Sequence, residues 1–461
     1  MTLTTKDTIA AISTPIGTGG IGIIRVSGID AITIVDKVFV SKKEKKLSNV
    51  KSHTIHYGYI FDDKTNEIID EVLVTVMKSP HSYTCEDTVE INCHGGYLSL
   101  SKTLNLLLSR GARFAQPGEF TMRAFLNGRI DLSQAEAVMD LINSKTDIAH
   151  KNALSQLEGL LQDRINNILN ELVETSAYIE AHIDFPEDDI GDIDKSGLLD
   201  QIDRIKCNIQ NLSNSFNEGK YLKEGLAVSI IGKPNVGKSS LLNCLLMKNR
   251  AIVTDIPGTT RDIIEEMLNI KGLPVKIIDT AGIRDAENII EKEGIMRSKK
   301  SIELSDIILA VFDSSALFDE QDLQIVEMIK GKKCIIVLNK CDLNKNLIDL
   351  KFFENFKVSH ISALKGQGID ELKDTLFELA VGKDSAISQG DFLITSQRHK
   401  FLLDSTTDAL NMAIEKIITK QPLEIVALYI RESIDSLSEI TGAVRIEEIL
   451  NKIFEGFCIG K

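Results

Sequence analysis

The chain has 461 residues, room for about three domains of ordinary size, so a single small module is excluded. Its 53 Lys and Arg stand against 67 Asp and Glu, a net charge of -14, which excludes a protein that coats nucleic acid or anionic membrane with its whole surface. Seven scattered cysteines without a CxxC pair, an N-terminus without signal-peptide layout and no apolar run near the ~18 residues of a membrane span lead us to expect a reduced, cytoplasmic chain.

From Thr8 to about Cys93 the runs TIAAIST, IGIIRVSG, TIHYGYI and VLVTVM, broken by Gly, Pro and Asp, predict a small α+β domain over residues 1–122. Gly17, Gly19 and Gly22 spell GxGxxG, but the adjoining IGIIRVSG reads as a strand rather than a helix, so a dinucleotide site is not expected there. The basic run Lys42, Lys43, Lys45 and Lys46 is interrupted by Glu44 and reads as a solvated loop rather than an RNA contact. Cys93 and His94 look like a nucleophile pair, yet neighbours on a strand point to opposite faces. Ser133 with Glu136 has the spacing of a capping box and predicts the start of a helical region, residues 123–220. Residues 221–383 alternate apolar β-rich runs with helix-length polar segments, as a parallel sheet with crossover helices does. After Gly390 the helical pattern returns with FLITSQRHKF, and residues 384–461 are expected to complete the helical domain that the α/β segment interrupts.

The run GKPNVGKS, Gly232 to Ser239, comes directly after the strand LAVSII and precedes the helix SSLLNCLL, the context a phosphate loop needs. Asn235, Val236, Gly237, Lys238, Ser239 and Ser240 are therefore expected around the phosphates, with Lys238 neutralising β/γ oxygens and the Ser239 hydroxyl on magnesium. DTAG, comprising Asp279, Thr280, Ala281 and Gly282, ends the strand VKIID, where Asp279 suits the magnesium shell. In NKCD, Asn339 and Lys340 lead to Asp342, whose carboxylate matches two guanine donors that adenine lacks, which selects GTP. Ser362 and Ala363 come after another strand, and the Ala363 N–H is expected to meet the guanine carbonyl. Between the first two motifs lies a switch loop, Thr254, Asp255, Ile256, Pro257, Gly258, Thr259 and Thr260, in which Thr260 is a second magnesium ligand. Ile283 stands where Ras-like hydrolases place a water-orienting glutamine, so a group among Arg284, Asp285, Glu287 and Glu291, or one from a partner, must replace it. Asn235 offers a carbonyl near the β/γ bridge, beside which a monovalent cation can offset developing charge; the plainer role is to stabilise the loop.

These motifs, with NGRIDLSQAEAVMDLI ahead of them and FCIGK at the end, resemble the MnmE (TrmE) tRNA-modification GTPase family over essentially the full length. The resemblance implies a multidomain α/β fold: a small α+β N-terminal domain, a helical domain, and a Ras-like P-loop GTPase domain inserted into the helical one. It implies a homodimer formed through the N-terminal domain and a complex, heterotetrameric or larger, with an FAD-carrying MnmG-type partner. That complex would add an aminomethyl or carboxymethylaminomethyl group at C5 of the wobble uridine, U34, of tRNA. By the same resemblance Asn235, Thr254, Ile256 and Thr259 coordinate potassium, Ser239 and Thr260 hold magnesium, and Glu291 orients water, with Glu287 the alternative. Arg25, Glu90, Arg129 and Lys461 match contacts to 5-formyl- or methylene-tetrahydrofolate, and Cys458 matches a cysteine needed for modification. A ribosome-assembly GTPase of the Era or Der kind is the competing reading, without its usual KH-type module or second phosphate loop in this sequence.

Overall fold

The structure is a computed structural model describing residues 7–42, 45–185, 194–249, 266–278, 299–343, 348–382, 387, 391–443 and 447–460. The chain divides into two compact units, Met1–Met139 with Ser438–Lys461, and Asp140–Leu437.

The first unit is built on a seven-stranded sheet: β1 (Ile9–Ile12), β2 (Gly19–Ser27), β3 (Phe39–Ser41), β4 (Thr54–Asp62), β5 (Glu67–Met77), β6 (Thr88–Gly95) and β7 (Arg113–Phe114), ordered β3-β4-β5-β6-β2-β1-β7. All pairs are antiparallel except β1 with β7. The two-residue period of the strands puts Ile24, Val26, Ile60, Val74, Val76 and Ile91 on one face, where they pack with residues of helices α1 (Ala31–Asp36) and α2 (Tyr97–Ser109). Each such side chain contributes roughly 1.5–3 kcal/mol of transfer free energy. The opposite face carries a cross-strand row, Arg25, Glu90, Thr75 and Ile55, joined by direct pairing across β2, β6, β5 and β4. The glycine motif runs into β2, a strand as expected. Cys93 is buried and His94 exposed, on opposite faces; burial pushes the Cys93 thiol up to about 12, so it is no nucleophile.

Helix α3 (Glu119–Leu126) precedes α4 (Leu132–Asn143), and α4 corrects the capping expectation at Ser133. The cap is Asp131: its Oδ1 accepts the Gln134 N–H at 2.7 Å, while Gln134 Oε1 accepts the Asp131 N–H at 2.9 Å. The carboxylate is the stronger acceptor for a helix N-terminus, and the Ser133 hydroxyl donates to it instead. The last helix, Glu447–Glu455, contributes Leu450 and Phe454 to a core with Phe457, Met122, Phe125 and Leu132. This fixes where the tail emerges. Ile459 bridges Pro117, Cys458 O accepts the Gly118 N–H at 3.4 Å, and Gly460 adopts φ 96° where a Cβ would lie 2.4 Å from Ile12 O. Only glycine fits that approach.

In the second unit, helices α5 (Asp147–Leu157), α6 (Leu160–Asp184), α7 (Lys195–Asn214) and α8 (Phe216–Glu224) precede an α/β layer. Its sheet comprises β8 (Leu226–Ile231), β9 (Glu266–Ile270), β10 (Leu273–Ile278), β11 (Ile307–Asp313), β12 (Cys334–Asn339) and β13 (Lys357–His360), in the order β13-β12-β11-β8-β10-β9. Every pair is parallel except β9 with β10, and the near-continuous apolar strands are covered on both faces by separate clusters. Helices α9 (Lys238–Asn249), α10 (Glu320–Ile329) and α11 (Ile369–Val381) accompany the sheet, and α12 (Gln397–Ile418) and α13 (Leu423–Thr441) come after it. The segment Phe392–Thr395, expected to open a helix, is not helical. The buried Asn152 side chain takes both backbone groups of Leu393, at 2.9 and 3.1 Å, and Ser215 Oγ accepts the Ile394 N–H. Side chains satisfy these groups, so no helical ladder is needed.

Candidate nucleotide and one-carbon sites

Strand β8 delivers the chain to Gly232, and α9 begins at Lys238, so the phosphate loop spans the carboxyl end of a central parallel strand and a helix N-terminus. Asn235, at φ 66°, and Gly237, at φ 99°, turn the loop; a Cβ on Gly237 would lie 2.2 Å from Asn339 Nδ2. Asn235, Ser239 and Ser240 are at least partly exposed, whereas Val236 is buried with the core. Lys238 Nζ donates to the carbonyls of Gly232 at 2.8 Å and Lys233 at 2.7 Å. Burial pushes this ammonium down to about 8, since among the described residues two neutral carbonyls, and no carboxylate, replace its hydration. An anion brought into the loop supplies that charge, and the site therefore fits a nucleotide phosphate.

Asn339, at the end of β12, ties the two halves of the site together. Its Nδ2 donates to Val236 O at 2.8 Å and its Oδ1 accepts the Ala363 N–H at 3.0 Å. The Ala363 N–H, expected to face the base, is engaged by Asn339 in this structure. Asp342 is held below the usual carboxylate range by the Ser362 hydroxyl and then by Lys365, 3.6 Å away, so it stands ionised as an acceptor. Lys340 reaches Asp313 Oδ2 at 2.6 Å. Sequence reasoning missed the clamp behind the phosphate loop: Lys233 Nζ bridges Asp319 and Asp322, each at 2.7 Å, in the capping box that starts α10. The DxxD spacing before a helical run was its one signal.

Of the remaining expected nucleotide residues, Thr254, Asp255, Ile256, Pro257, Gly258, Thr259, Thr260, Asp279, Thr280, Ala281 and Gly282 lie outside the described residues, as do Ile283, Glu287 and Glu291. Among the described residues no group of three or more His, Cys, Asp or Glu is placed to hold a metal; Ser239 at the start of α9 is the described residue with the chemistry for magnesium.

In the first unit, Arg25 and Glu90 form a cross-strand ion pair, Nε to Oε1 at 2.9 Å and Nη2 to Oε1 at 2.8 Å. Arg25 Nη1 also donates to Gly460 O at 3.4 Å, which brings the tail to the pair. The Arg25 guanidinium lies 5.6 Å from the ring centroids of Tyr83 and Phe120, and Arg129 lies 4.8 Å from Tyr83, whose carbonyl it also contacts. Arg25 and Arg129 thus meet at one aromatic ring, Tyr83, that the sequence did not single out, and Glu90 is paired to Arg25. Two guanidiniums, a carboxylate and a ring suit a flat heterocycle with carboxylates, the chemistry of a folate. Cys458 is exposed two residues from Gly460, and Lys461 lies outside the described residues.

Comparison with known proteins covers the whole chain. A profile described as the MnmE helical domain matches residues 132–458, and one described as the N-terminus of the GTP-binding protein TrmE matches residues 8–129. The tRNA modification GTPase MnmE of Alkaliphilus oremlandii is 48% identical over 458 residues, 99% of each chain. Its counterpart in Clostridioides difficile is 48% identical over 462 residues, 99% of each, and that of Thermoanaerobacter pseudethanolicus 46% over 458 residues, again 99% of each. The likeness spans both units, and the chain belongs to the MnmE (TrmE) family of tRNA-modification GTPases.

Proposed function

We propose that the chain hydrolyses GTP in order to drive modification of tRNA at C5 of the wobble uridine, U34, with a one-carbon unit from tetrahydrofolate and an FAD-bearing MnmG-type partner. The observation that carries the GTPase reading is Lys238, a half-buried ammonium whose partners among the described residues are carbonyls, in a phosphate loop. Asn339 couples that loop to the segment bearing Ala363, so phosphate and base sites are one rigid arrangement. Asp342 reads guanine through its ionised carboxylate.

Magnesium, once bound, would neutralise β- and γ-phosphate charge, and Ser239 and Thr260 would hold it. Potassium would add charge at the β/γ bridge, coordinated by Asn235 with Thr254, Ile256 and Thr259. Glu291, or Glu287, positions the attacking water in place of the missing glutamine. In the first unit Arg25, Glu90 and Arg129 bind the folate with Lys461, and Cys458 serves the transfer to tRNA. Exposed Ile16, Ile21, Tyr97 and Leu98 lie near one end of the sheet, where Gly19 pairs with Gly95, and support association of two copies through this domain. The proposed divisions are residues 1–122, 123–220, 221–383 and 384–461, with the third inserted between the two helical halves.

The test is GTP turnover in potassium and in sodium at equal ionic strength. Faster turnover in potassium, lost on Asn235→Ala, is expected; equal rates in the two salts for the unaltered chain would remove the cation from the reading.

A further inference from the structure

The edge of the first sheet formed by β3 and β4 is flanked by lysines in this acidic chain. Lys42, Lys45, Lys46, Lys51 and Lys78 cluster there in sequence and pairing, and among the described residues none of them stands in an ion pair. Lys78 Nζ donates to Ser48 O. Lys45 lies close enough to His56 to help hold the imidazole below its usual range, though burial of the ring is the larger cause. Four of the five lysines are exposed. In a chain of net charge -14 these lysines make a local positive surface that favours an anionic partner.

Beside the lysines sit two aromatic rings. Tyr57 and Tyr59 project from the same face of β4 with centroids 6.2 Å apart, and Tyr57 is 41% exposed. Lys42 Nζ lies over both, 4.4 and 5.5 Å from the centroids, and donates to the Tyr57 hydroxyl at 2.9 Å. Cations beside one exposed and one half-buried ring are what single-stranded RNA needs: ammonium groups for the phosphates and π-faces for the bases. A second copy of this chain would use the exposed apolar neighbours Val40, Ile55 and Leu73 but leave the lysines without an anionic partner.

The register adds position. Ile55, Thr75, Glu90 and Arg25 form one cross-strand row, so Tyr57, two residues from Ile55, is on the sheet face that also carries the Arg25–Glu90 pair. Three strand spacings separate β4 from β2, roughly 14 Å. An RNA strand stacked on Tyr57 and Tyr59 would therefore have its neighbouring nucleotides within reach of the candidate one-carbon site.

Against the solvated-loop reading of the sequence, and on the strength of the rings beside Lys42, we propose that the β3–β4 edge, through Lys42, Lys45, Lys46, Lys51, Tyr57 and Tyr59, is the surface that holds a single-stranded segment of the substrate tRNA. This rests on the tRNA-modification reading. Phosphates draw Lys42 off the rings, and the uncovered rings stack bases.

The test is binding of bulk tRNA by the full chain over a salt series, with two variants. Replacement of Lys42, Lys45, Lys46 and Lys51 by Gln should lower affinity at least about tenfold at low salt and flatten the salt slope by roughly 0.7–0.9 for each phosphate no longer neutralised. Tyr57→Ala with Tyr59→Ala should lower affinity at least about fivefold with the slope unchanged. Thermal unfolding and sedimentation checked on both variants separate the effect from misfolding or a changed association state. Unchanged affinity and slope in folded variants would overturn the proposal. So would loss of self-association with tRNA binding intact, which assigns the edge to protein contact. Failure of the unaltered chain to modify tRNA in cells strikes the functional reading instead.

Discussion

At the residue scale, the most informative group is Lys238. Its ammonium is depressed to about 8 by burial among carbonyls, and a bound triphosphate restores a counter-charge and raises it again. Between those two values the complex holds more protons than the free chain, so nucleotide binding takes up protons and affinity falls as pH rises above about 8. Calorimetry of GTP binding in two buffers of different ionisation enthalpy should show little uptake well below that value and substantial uptake about one unit above it; equal uptake at both would contradict the assignment. Asp342 makes a second prediction. Asp342→Asn should weaken GTP binding and favour xanthosine triphosphate, whose carbonyl accepts from the new amide, in a competition assay; unchanged GTP affinity would remove Asp342 from base recognition. These residues were legible in the sequence because the phosphate-loop and NKCD spacings are set by backbone geometry around a phosphate and a purine. Tyr83 and Lys233 were not, since an aromatic ring between two arginines distant in sequence and a lysine bridging two later aspartates depend on contacts that no local pattern encodes.

At the scale of elements, Asn339 is where strand β12 becomes a joint. Its amide satisfies Val236 O and the Ala363 N–H, two buried backbone groups of different loops. Asn339→Ala leaves both unpaired and should destabilise the nucleotide-binding layer by about 2–4 kcal/mol, read as a lower urea midpoint, together with weaker GTP binding. A midpoint within error of the unaltered chain would show that the joint is not structural. Most strands of both sheets were legible because alternating or continuous apolar runs carry their own period, whereas the short β3, β7 and β9 carry too few residues to show one. The start of α4 and the segment Phe392–Thr395 were not. In the first case Asp131 outcompetes the serine two positions later, and in the second Asn152 and Ser215 reach in from distant parts of the chain and remove the need for helical bonding.

At the scale of the whole molecule, the tail and the nucleotide layer fall in different compact units, Ser438–Lys461 with the first and β8 to β13 within the second. The two activities that the proposed function joins are therefore separable. Cys458→Ser should leave GTP hydrolysis near the rate of the unaltered chain, measured as phosphate release, because the exposed thiol belongs to the other unit. It should abolish transfer to tRNA. The most direct measurement is nucleoside analysis of bulk tRNA from cells lacking this chain, with the unaltered chain or Cys458→Ser returned. The account predicts loss of the C5-modified wobble uridine, restored by the unaltered chain and not by Cys458→Ser; full modification in the cells lacking the chain would contradict it.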